Sequence, residues 1–255
     1  MIRFLTSIGI GTAAALFAAA LPAQAAAATS TVTQSGGIIT FKAAKGKNTV
    51  VITGDGENPV IFADRQPIKA GKGCVQFPGE KNKAICGAAK KVKEIRVYAY
   101  DGNDSVINKI YSIGMVAFGG TGDDTLVGED ASDSLYGGPG NDRIWGSWGN
   151  DILHGEAGND MLDGGFGNDT LWAGPGNDQL NGKWNNDILY GGTGNDTIDG
   201  GENGDRSYGQ DGNDKLTDVN DFGWGNEYDF LSGGAKTDTC TAQPGDDIVE
   251  CEATS

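Results

Sequence analysis

The stretch from Gly137 to Trp172 reads GGPGNDRIW GSWGNDILH GEAGNDMLD GGFGNDTLW, which is one nine-residue unit written four times. The unit recurs eleven times between Gly119 and Thr217, and its sixth position is Asp in every copy. These residues are Asp124, Asp133, Asp142, Asp151, Asp160, Asp169, Asp178, Asp187, Asp196, Asp205 and Asp214. A period held so strictly predicts a repeat architecture, in which each unit forms the same small piece of structure.

The other positions of the unit favour a turn followed by a short strand. Gly occupies position one in ten copies and position four in eight, and Asn occupies position five in eight. Gly and Asn tolerate positive φ angles, so positions one to five are predicted to form a tight turn. Leu or Ile occupies position eight in ten copies, and one apolar residue in nine is too sparse for an amphipathic helix. We therefore predict a strand at positions seven to nine, with position eight pointing inward.

Alternating turns and strands predict an all-β fold, a parallel β-roll or β-solenoid with Gly-rich turns. No single unit can bury its one apolar residue, whereas stacked units bury a continuous stripe. Neighbouring strands lie about 4.7–4.9 Å apart, so a cation between two stacked turns can contact both. An Asp in every turn favours Ca²⁺, which prefers hard oxygen ligands. The alternative is that Asp only shapes the turns, but stacked uncompensated carboxylates would repel one another.

The unit resembles the Gly-Gly-x-Gly-x-Asp-x-U-x repeat (U, a large apolar residue) of the RTX, or haemolysin-type, calcium-binding nonapeptide-repeat family. The resemblance covers Gly119 to Thr217. The N-terminal segment, with its one Cys pair, also resembles that of secreted actinobacterial members of the family. The resemblance of the repeats implies that two units make one coil and that Asp at position six and turn carbonyls bind multiple Ca²⁺. It also implies on the order of eight to twelve ions, one for each stacked pair of turns. Degenerate copies at the two ends add four further candidate ligands, Asp104, Asp229, Asp238 and Asp247.

The chain divides into four segments. Residues 1–25 carry Arg3, an apolar run and Ala23-Gln24-Ala25 before the cleavage point, which is typical of a signal peptide and predicts a secreted, extracellular protein with no transmembrane segment after cleavage. Residues 26–98 contain β-branched runs that predict short strands. These strands form either calcium-free first coils of one solenoid, which we favour, or a separate β domain. Residues 99–217 form the roll, and residues 218–255 form a cap with degenerate repeats, in which Cys240 and Val249 are expected to point inward.

Charge separates the segments as well. Residues 27–98 hold twelve Lys or Arg and five Asp or Glu, a net charge of +7, whereas residues 99–255 hold six and thirty, a net charge of −24. The acidic roll is a poor partner for nucleic acid, because binding to phosphates needs a basic surface. The basic segment fits either an acidic polymer or an ordinary solvated Lys-rich surface.

Four cysteines in an exported chain predict disulfide bonds. Cys74, Cys86, Cys240 and Cys251 allow three connectivities. The local pairs Cys74–Cys86 and Cys240–Cys251 are favoured, because one pair then lies near each end of the solenoid. Each would contribute about 2–3 kcal/mol by closing a loop of roughly a dozen residues.

Aromatic residues recur eighteen residues apart and are not required by calcium. They are Tyr136, His154, Trp172, Tyr190 and Tyr208 at position nine, and Trp148, Phe166 and Trp184 at position three. Such rings either stack and stiffen the solenoid or form an exposed face for a polysaccharide or a cell-surface partner. The alternative function is therefore a calcium-scaffolded adhesion or carbohydrate-binding module. The chain has one His and no H-E-x-x-H or G-x-S-x-G motif, so we predict no enzymatic activity.

Overall fold

The computed structural model describes residues 29–54, 59–88, 92–218, 228–243, 245–251 and 253–254. Every regular element in these residues is a β-strand, and the strands form two long sheets. The predicted all-β solenoid is therefore confirmed. The predicted signal peptide, residues 1–25, lies outside the described residues.

The first nine strands of the described chain lie before residue 110. They are β1 (Ser30–Ser35), β2 (Ile38–Lys42), β3 (Thr49–Thr53), β4 (Pro59–Ala63), β5 (Ile68–Ala70), β6 (Cys74–Gln76), β7 (Lys83–Ala88), β8 (Glu94–Tyr98) and β9 (Ser105–Lys109).

Sixteen further strands follow in the described part of the chain. They are β10 (Met115–Phe118), β11 (Thr125–Glu129), β12 (Ser134–Pro139), β13 (Arg143–Trp148), β14 (Ile152–Ala157), β15 (Met161–Phe166), β16 (Thr170–Pro175), β17 (Gln179–Trp184), β18 (Ile188–Thr193), β19 (Thr197–Glu202), β20 (Arg206–Asp211), β21 (Lys215–Asp218), β22 (Phe230–Ala235), β23 (Thr239–Ala242), β24 (Asp247–Val249) and β25 (Ala253–Thr254).

Consecutive strands of the roll alternate between the two sheets. Even-numbered strands from β8 onward form sheet one, and odd-numbered strands from β9 onward form sheet two. Each strand pairs in parallel with the strand two ahead of it, so that Leu135 of β12 lies beside Leu153 of β14. Two units therefore make one coil, and units eighteen residues apart stack.

The strands of the roll are longer than the sequence predicted. Most span six residues, from position seven of one unit to position three of the next, as Ser134–Pro139 does. Only positions four to six form the turn, so the expectation of a turn over positions one to five was wrong. Gly at position one serves close packing instead: a Cβ on Gly137 would collide with the carboxylate of Asp142.

The core is a single file of inward side chains from each sheet. Position eight is fully or almost fully buried throughout, and Leu126, Leu135, Ile144 and Leu153 are 0% exposed. Side chains at position nine are half-buried, and those at position seven are half-buried or exposed. This alternation is the one expected of a strand with one buried face.

Antiparallel strands close the N-terminal end. Strands β2 and β3 pair in parallel with β8 and β9, so both sheets continue into the roll. Strand β1 pairs antiparallel with β2, and β4 pairs antiparallel with β3 and β7. The N-terminal segment thus contains one coil with the geometry of the roll and an antiparallel layer over it. The segment boundaries given above remain predictions.

Both local disulfide bonds are present. Cys74 and Cys86 face each other across β6 and β7, and Cys240 is bonded to Cys251. Cys240 is buried at the inward position of β23, as expected. Val249 was expected to be inward and is 41% exposed, because β24 is shifted by one residue and Ile248 lies beside Leu231 instead.

In the part of the chain that the structure describes, no helix has the length and apolar character that crossing a membrane requires.

Two adjacent residues of β14 test the inward stripe. Replacing Leu153, which is fully buried, by Ala should lower the free energy of unfolding by about 2–5 kcal/mol, because a cavity is left in a core that cannot collapse. The matched change Ile152→Ala, at a side chain that is 39% exposed, should cost under about 1 kcal/mol. Denaturant unfolding in saturating Ca²⁺ measures both, and equal losses would contradict the assigned faces.

Candidate metal centre

The coils of the roll depend on backbone conformations that favour glycine. Position two, near the end of the strand, has positive φ in all eleven units, and position four, in the turn, has it in nine, as in Gly138 (111°) and Gly140 (155°). Ala131 and Asn185 adopt the same region at position four, at 73° and 78°. A strained residue there is tolerated because the stacked coils on either side fix the backbone.

The Asp residues of position six line up in two carboxylate columns. In each column the backbone N–H of one Asp donates to Oδ1 of the Asp in the next coil, and Asp124 to Asp142 and Asp142 to Asp160 are both 2.7 Å. The first column lies where sheet one turns into sheet two and contains Asp104, Asp124, Asp142, Asp160, Asp178, Asp196, Asp214 and Asp238. The second lies at the opposite edge and contains Asp133, Asp151, Asp169, Asp187, Asp205 and Asp229.

The second carboxylate oxygen, Oδ2, lacks a hydrogen-bond donor in the described structure in most members of the two columns. All fourteen Asp residues are at most 2% exposed. Oδ2 is buried and accepts no hydrogen bond from any described residue in Asp104, Asp124, Asp133, Asp142, Asp151, Asp160, Asp169, Asp178, Asp187, Asp196 and Asp214. Buried polar atoms are rarely left in this state, and a regular file of them points to a ligand that the protein itself does not supply.

Carbonyl oxygens of the turns lie beside these carboxylates. The carbonyl at position four of one coil faces position four of the next, and a Cβ on Gly140 or Gly158 would overlap the oxygen of Gly122 or Gly140. Within the described chain these two carbonyl oxygens accept no backbone hydrogen bond. Each turn thus offers a carbonyl oxygen at position four, whereas Oδ2 of its Asp lies beside position one: a Cβ on Gly119 would collide with Oδ2 of Asp124 and would be 2.6 Å from the carbonyl oxygen of Gly137.

A second ladder on the outer side of the turns explains Asn at position five. The N–H of Asn159 donates to Oδ1 of Asn141, and the N–H of Asn177 donates to Oδ1 of Asn159, each at 2.8 Å. This exposed ladder runs in the opposite direction to the Asp ladder. Together the two ladders hold each turn to the turns before and after it.

Without a cation, burial strongly disfavours the charged form of these carboxylates. Burial is the main cause and neighbouring carboxylates add to it in several cases, whereas the donated backbone N–H acts in the opposite direction. Together these effects raise the pKa to about 6 in Asp104, Asp151, Asp160 and Asp214, about 7 in Asp142, Asp169 and Asp178, about 8 in Asp124, and about 9 in Asp133 and Asp187. A cation between the coils would reverse this shift.

Oxygen atoms are the only ligands that these columns present, and this suits a hard cation. Ca²⁺ accepts six to eight carboxylate and carbonyl oxygens in flexible geometry. Zinc prefers Cys or His, but all four cysteines form disulfide bonds and His154 stacks between Tyr136 and Trp172 in sheet one. The residues present therefore fit calcium. Position-six Asp would supply the carboxylates and the turns would supply carbonyls.

The ends of the columns differ from the sequence expectation. Asp104, Asp229 and Asp238 are buried in the columns with the eleven regular members. Asp247 is exposed and its position in the column was predicted wrongly: the N–H of Asp229 donates to Oδ1 of Asp246, at 3.2 Å. The one-residue shift of β24 moves every side chain of this strand to the other face.

One acidic residue near the C-terminal end was missed. Asp218 is fully buried, and one carboxylate oxygen each of Asp205, Asp218 and Asp229 lie within 4.8 Å of one another. Asp218 stands at position one, which is Gly in ten of the eleven regular units. An acid at a glycine position was the signal that would have revealed it.

The aromatic residues do not share one face. Tyr136, His154, Trp172, Tyr190 and Tyr208 stack along sheet one, and the stack also includes Tyr98 and Phe118. Trp148, Phe166 and Trp184 stack separately on β13, β15 and β17 of sheet two. The eight residues that the sequence grouped as one ligand face are therefore two surfaces. They separate because the turn at positions four to six lies between position three and position nine of the same unit, so the two positions fall on opposite sheets.

The repeats also match a known family. A family model described as the RTX calcium-binding nonapeptide repeat matches four overlapping stretches, residues 118–153, 145–180, 154–189 and 181–216. These stretches contain both columns from Asp124 to Asp214. No curated protein matches the chain.

The raised pKa values predict how the metal-free protein responds to pH. The pKa of these Asp residues rises from an ordinary 3.8 to about 6 to 9 in the folded protein, so the folded state binds protons more tightly than the unfolded state. The stability that this proton binding contributes is lost as the pH rises through the folded pKa. Metal-free protein should hold more β structure at about pH 5 than at about pH 9, and its Ca²⁺ affinity should fall at about pH 5 as protons compete.

Far-UV circular dichroism of metal-free protein at both pH values tests this. Added salt, about 0.5 M, screens the exposed charges and leaves the buried carboxylates as the cause. More β structure at the higher pH would contradict the assignment.

Proposed function

Since the chain carries the repeats of the RTX calcium-binding family along residues 118–216, we propose that the protein is a secreted calcium-binding β-roll that completes its folding on binding multiple Ca²⁺ outside the cell. The position-six Asp residues of both columns, Asp124 to Asp214, are the proposed ligands. Asp104, Asp229 and Asp238 extend the proposed set at the ends.

The observation that carries this proposal is the file of buried Oδ2 atoms without a hydrogen-bond donor. Burying one unpaired carboxylate is costly, because the charge loses its hydration. Here such residues repeat in nine consecutive turns, from Asp124 to Asp196, and each is stacked on another acid in its column. A divalent cation held by these carboxylates would supply the missing positive charge and would offset their mutual repulsion.

Charge balance supports several ions rather than one or two. Residues 99–255 have 24 more acidic than basic side chains. On the order of eight to twelve Ca²⁺, one for each stacked pair of turns, would nearly neutralise this part of the chain.

The same chemistry accounts for the proposed link between export and folding. A Gly-rich and strongly acidic chain cannot stay compact while its charge is uncompensated. Extracellular calcium modules typically bind at about 10⁻⁴ to 10⁻³ M, so such sites fill outside the cell and stay empty inside it. The predicted signal peptide, residues 1–25, would bring the chain to that environment.

We propose no catalytic activity. The only His of the chain, His154, is held between Tyr136 and Trp172 at ring-centroid distances of 4.8 and 4.6 Å. Burial lowers its pKa to about 4, so it is neutral near pH 7. The stacked ring acts as a member of the sheet-one ladder.

Calcium titration of the metal-free protein at neutral pH tests the proposal. Far-UV circular dichroism should show a cooperative gain of β structure with Ca²⁺, and the count of bound ions should reach several per chain. Mg²⁺ should be much less effective, since it demands strict octahedral geometry. A chain that is already fully folded in excess chelator would sink the coupled folding.

Two variants assign the sites within the same experiment. Asp169→Ala removes a carboxylate from the middle of the second column and should lower the number of bound ions by one or two. Asp163→Ala is the matched control, because Asp163 is an acid on β15 outside both columns and faces Lys183 at 3.5 Å. It should leave the count unchanged. Equal effects of both variants would refute the column as the binding site.

A second candidate function is contact with a polysaccharide through Trp148, Phe166 and Trp184. These rings are 57%, 39% and 43% exposed, whereas the stacked rings of sheet one are half-buried. They form one row with centroid distances of 4.2 and 5.5 Å. The exposed outer rings, Trp148 and Trp184, offer the aromatic surface on which an apolar face of a sugar can stack.

Replacing both outer tryptophans tests this candidate. If each ring contributes about 1–1.5 kcal/mol, Trp148→Ala with Trp184→Ala should weaken polysaccharide binding about a hundredfold in the calcium-loaded protein. The control Trp172→Ala, in the sheet-one ladder, should alter stability and leave binding unchanged. Pull-down with and without Ca²⁺ measures both variants, and an unchanged affinity of the double variant would dismiss the surface.

A further inference from the structure

The first carboxylate column begins with a buried asparagine. Asn48 ends the turn formed by residues 43–48, which leads from β2 in sheet one to β3 in sheet two. Its N–H donates to Oδ1 of Asp104, as each Asp of the column donates to the next. Asn48 is therefore the first member of the column, with an amide where the later members have a carboxylate.

The side-chain amide of Asn48 donates to three oxygen atoms around this turn. Nδ2 donates to the carbonyl oxygen of Ala44 at 2.9 Å, to that of Gly46, and to Oδ1 of Asp104 at 3.0 Å. Ala44 and Gly46 occupy positions two and four of the turn. The opposite amide orientation would place Oδ1 against three acceptor oxygens, so the chemistry fixes Nδ2 in this place.

Two lysines flank this turn at positions three and five. Lys45 and Lys47 are both exposed. No Lys or Arg occupies position three or five in any unit from Gly119 to Thr217. Two ammonium groups beside the gap would oppose a divalent cation there, whereas they suit the carboxylate of Asp104.

The outer side of the same turn is closed by hydrogen bonds within the protein. Ser30 Oγ accepts from the N–H of Ala44 at 2.9 Å and donates to Asp64 Oδ2. Asp64 Oδ1 accepts from the N–H of Thr49 at 3.3 Å. The column thus ends against a hydrogen-bonded layer.

The second column begins with a comparable asparagine. Met115 is its first member by position, because its N–H donates to Oδ1 of Asp133. Asn108, which is fully buried, donates from Nδ2 to the carbonyl oxygen of Ile113 at 2.9 Å. Ile113 precedes Met115 by two residues and so supplies the position-four carbonyl, which Gly46 supplies in the first column.

We propose that the Asn48 amide takes the place of the first cation of the first column, and that Asn108 does the same for the second. The N-terminal end of the solenoid is then held by hydrogen bonds and needs no calcium, and it offers a preformed coil on which the calcium-bound coils stack. This rests on the calcium binding proposed above.

Calcium counting by native mass spectrometry on the full-length protein tests the proposal. The double variant Lys47→Asn with Asn48→Asp restores the Gly-Asn-Asp turn of the repeats and should bind one Ca²⁺ more than the wild type. Asn48→Ala removes the amide and should bind the same number as the wild type. In excess chelator, the amide protons of β2 and β3 should exchange slowly in the wild type and fast in Asn48→Ala.

Three outcomes would overturn the proposal. The first is a folded double variant that binds no additional ion. The second is a folded Asn48→Ala variant that has lost one, which would make Asn48 a ligand. The third is equally fast exchange of β2 and β3 in the chelated wild type and in Asn48→Ala. The Asn48→Ala arm decides the matter if the double variant does not fold, and a wild type that binds no Ca²⁺ would instead refute the proposed function.

Discussion

Burial of fourteen carboxylates in two columns is the constraint on which the rest of the structure depends. Each of these Asp residues uses Oδ1 to accept a backbone N–H from the coil before it, with distances of 2.7–2.8 Å along the regular coils. This bond fixes the height and the register of each turn. Because Oδ1 is used in this way, Oδ2 in eleven of these residues is buried and accepts no hydrogen bond from the described chain, so its charge must be compensated from outside the chain.

The glycines of the unit follow from the same constraint. Position one must leave room for the carboxylate of its own unit, and position four must leave room for the carbonyl oxygen of the previous coil, as Gly137 and Gly140 show. The strand that joins the turns then has one inward residue to bury. A fold with so thin a core gains little from apolar burial alone, so cohesion along the solenoid rests on the turns, the Asn and Asp ladders and the stacked rings.

The two ends solve a problem that the repeats create. A stacked column has unsatisfied groups at its first and last members, and an open sheet end invites association with other chains. At the N-terminal end, Asn48 and Asn108 satisfy turn carbonyls, and antiparallel strands tied by Cys74–Cys86 cover the sheets. At the other end the shifted strand β24 and the bond Cys240–Cys251 break the repeat.

The sequence by itself determined the period, the parallel two-sheet solenoid and the inward position eight, because these follow from residue types at fixed spacing within one unit. The division of Asp124 to Asp214 into two edges followed from the family resemblance, which implies that two units make one coil. Only the tertiary structure decided the length of the strands, the exchange of Asp246 for Asp247, the burial of Asp218 and the separation of the aromatic residues onto two sheets. These features depend on which residues of neighbouring coils lie side by side, and register between coils is a property of the stack that no single unit encodes.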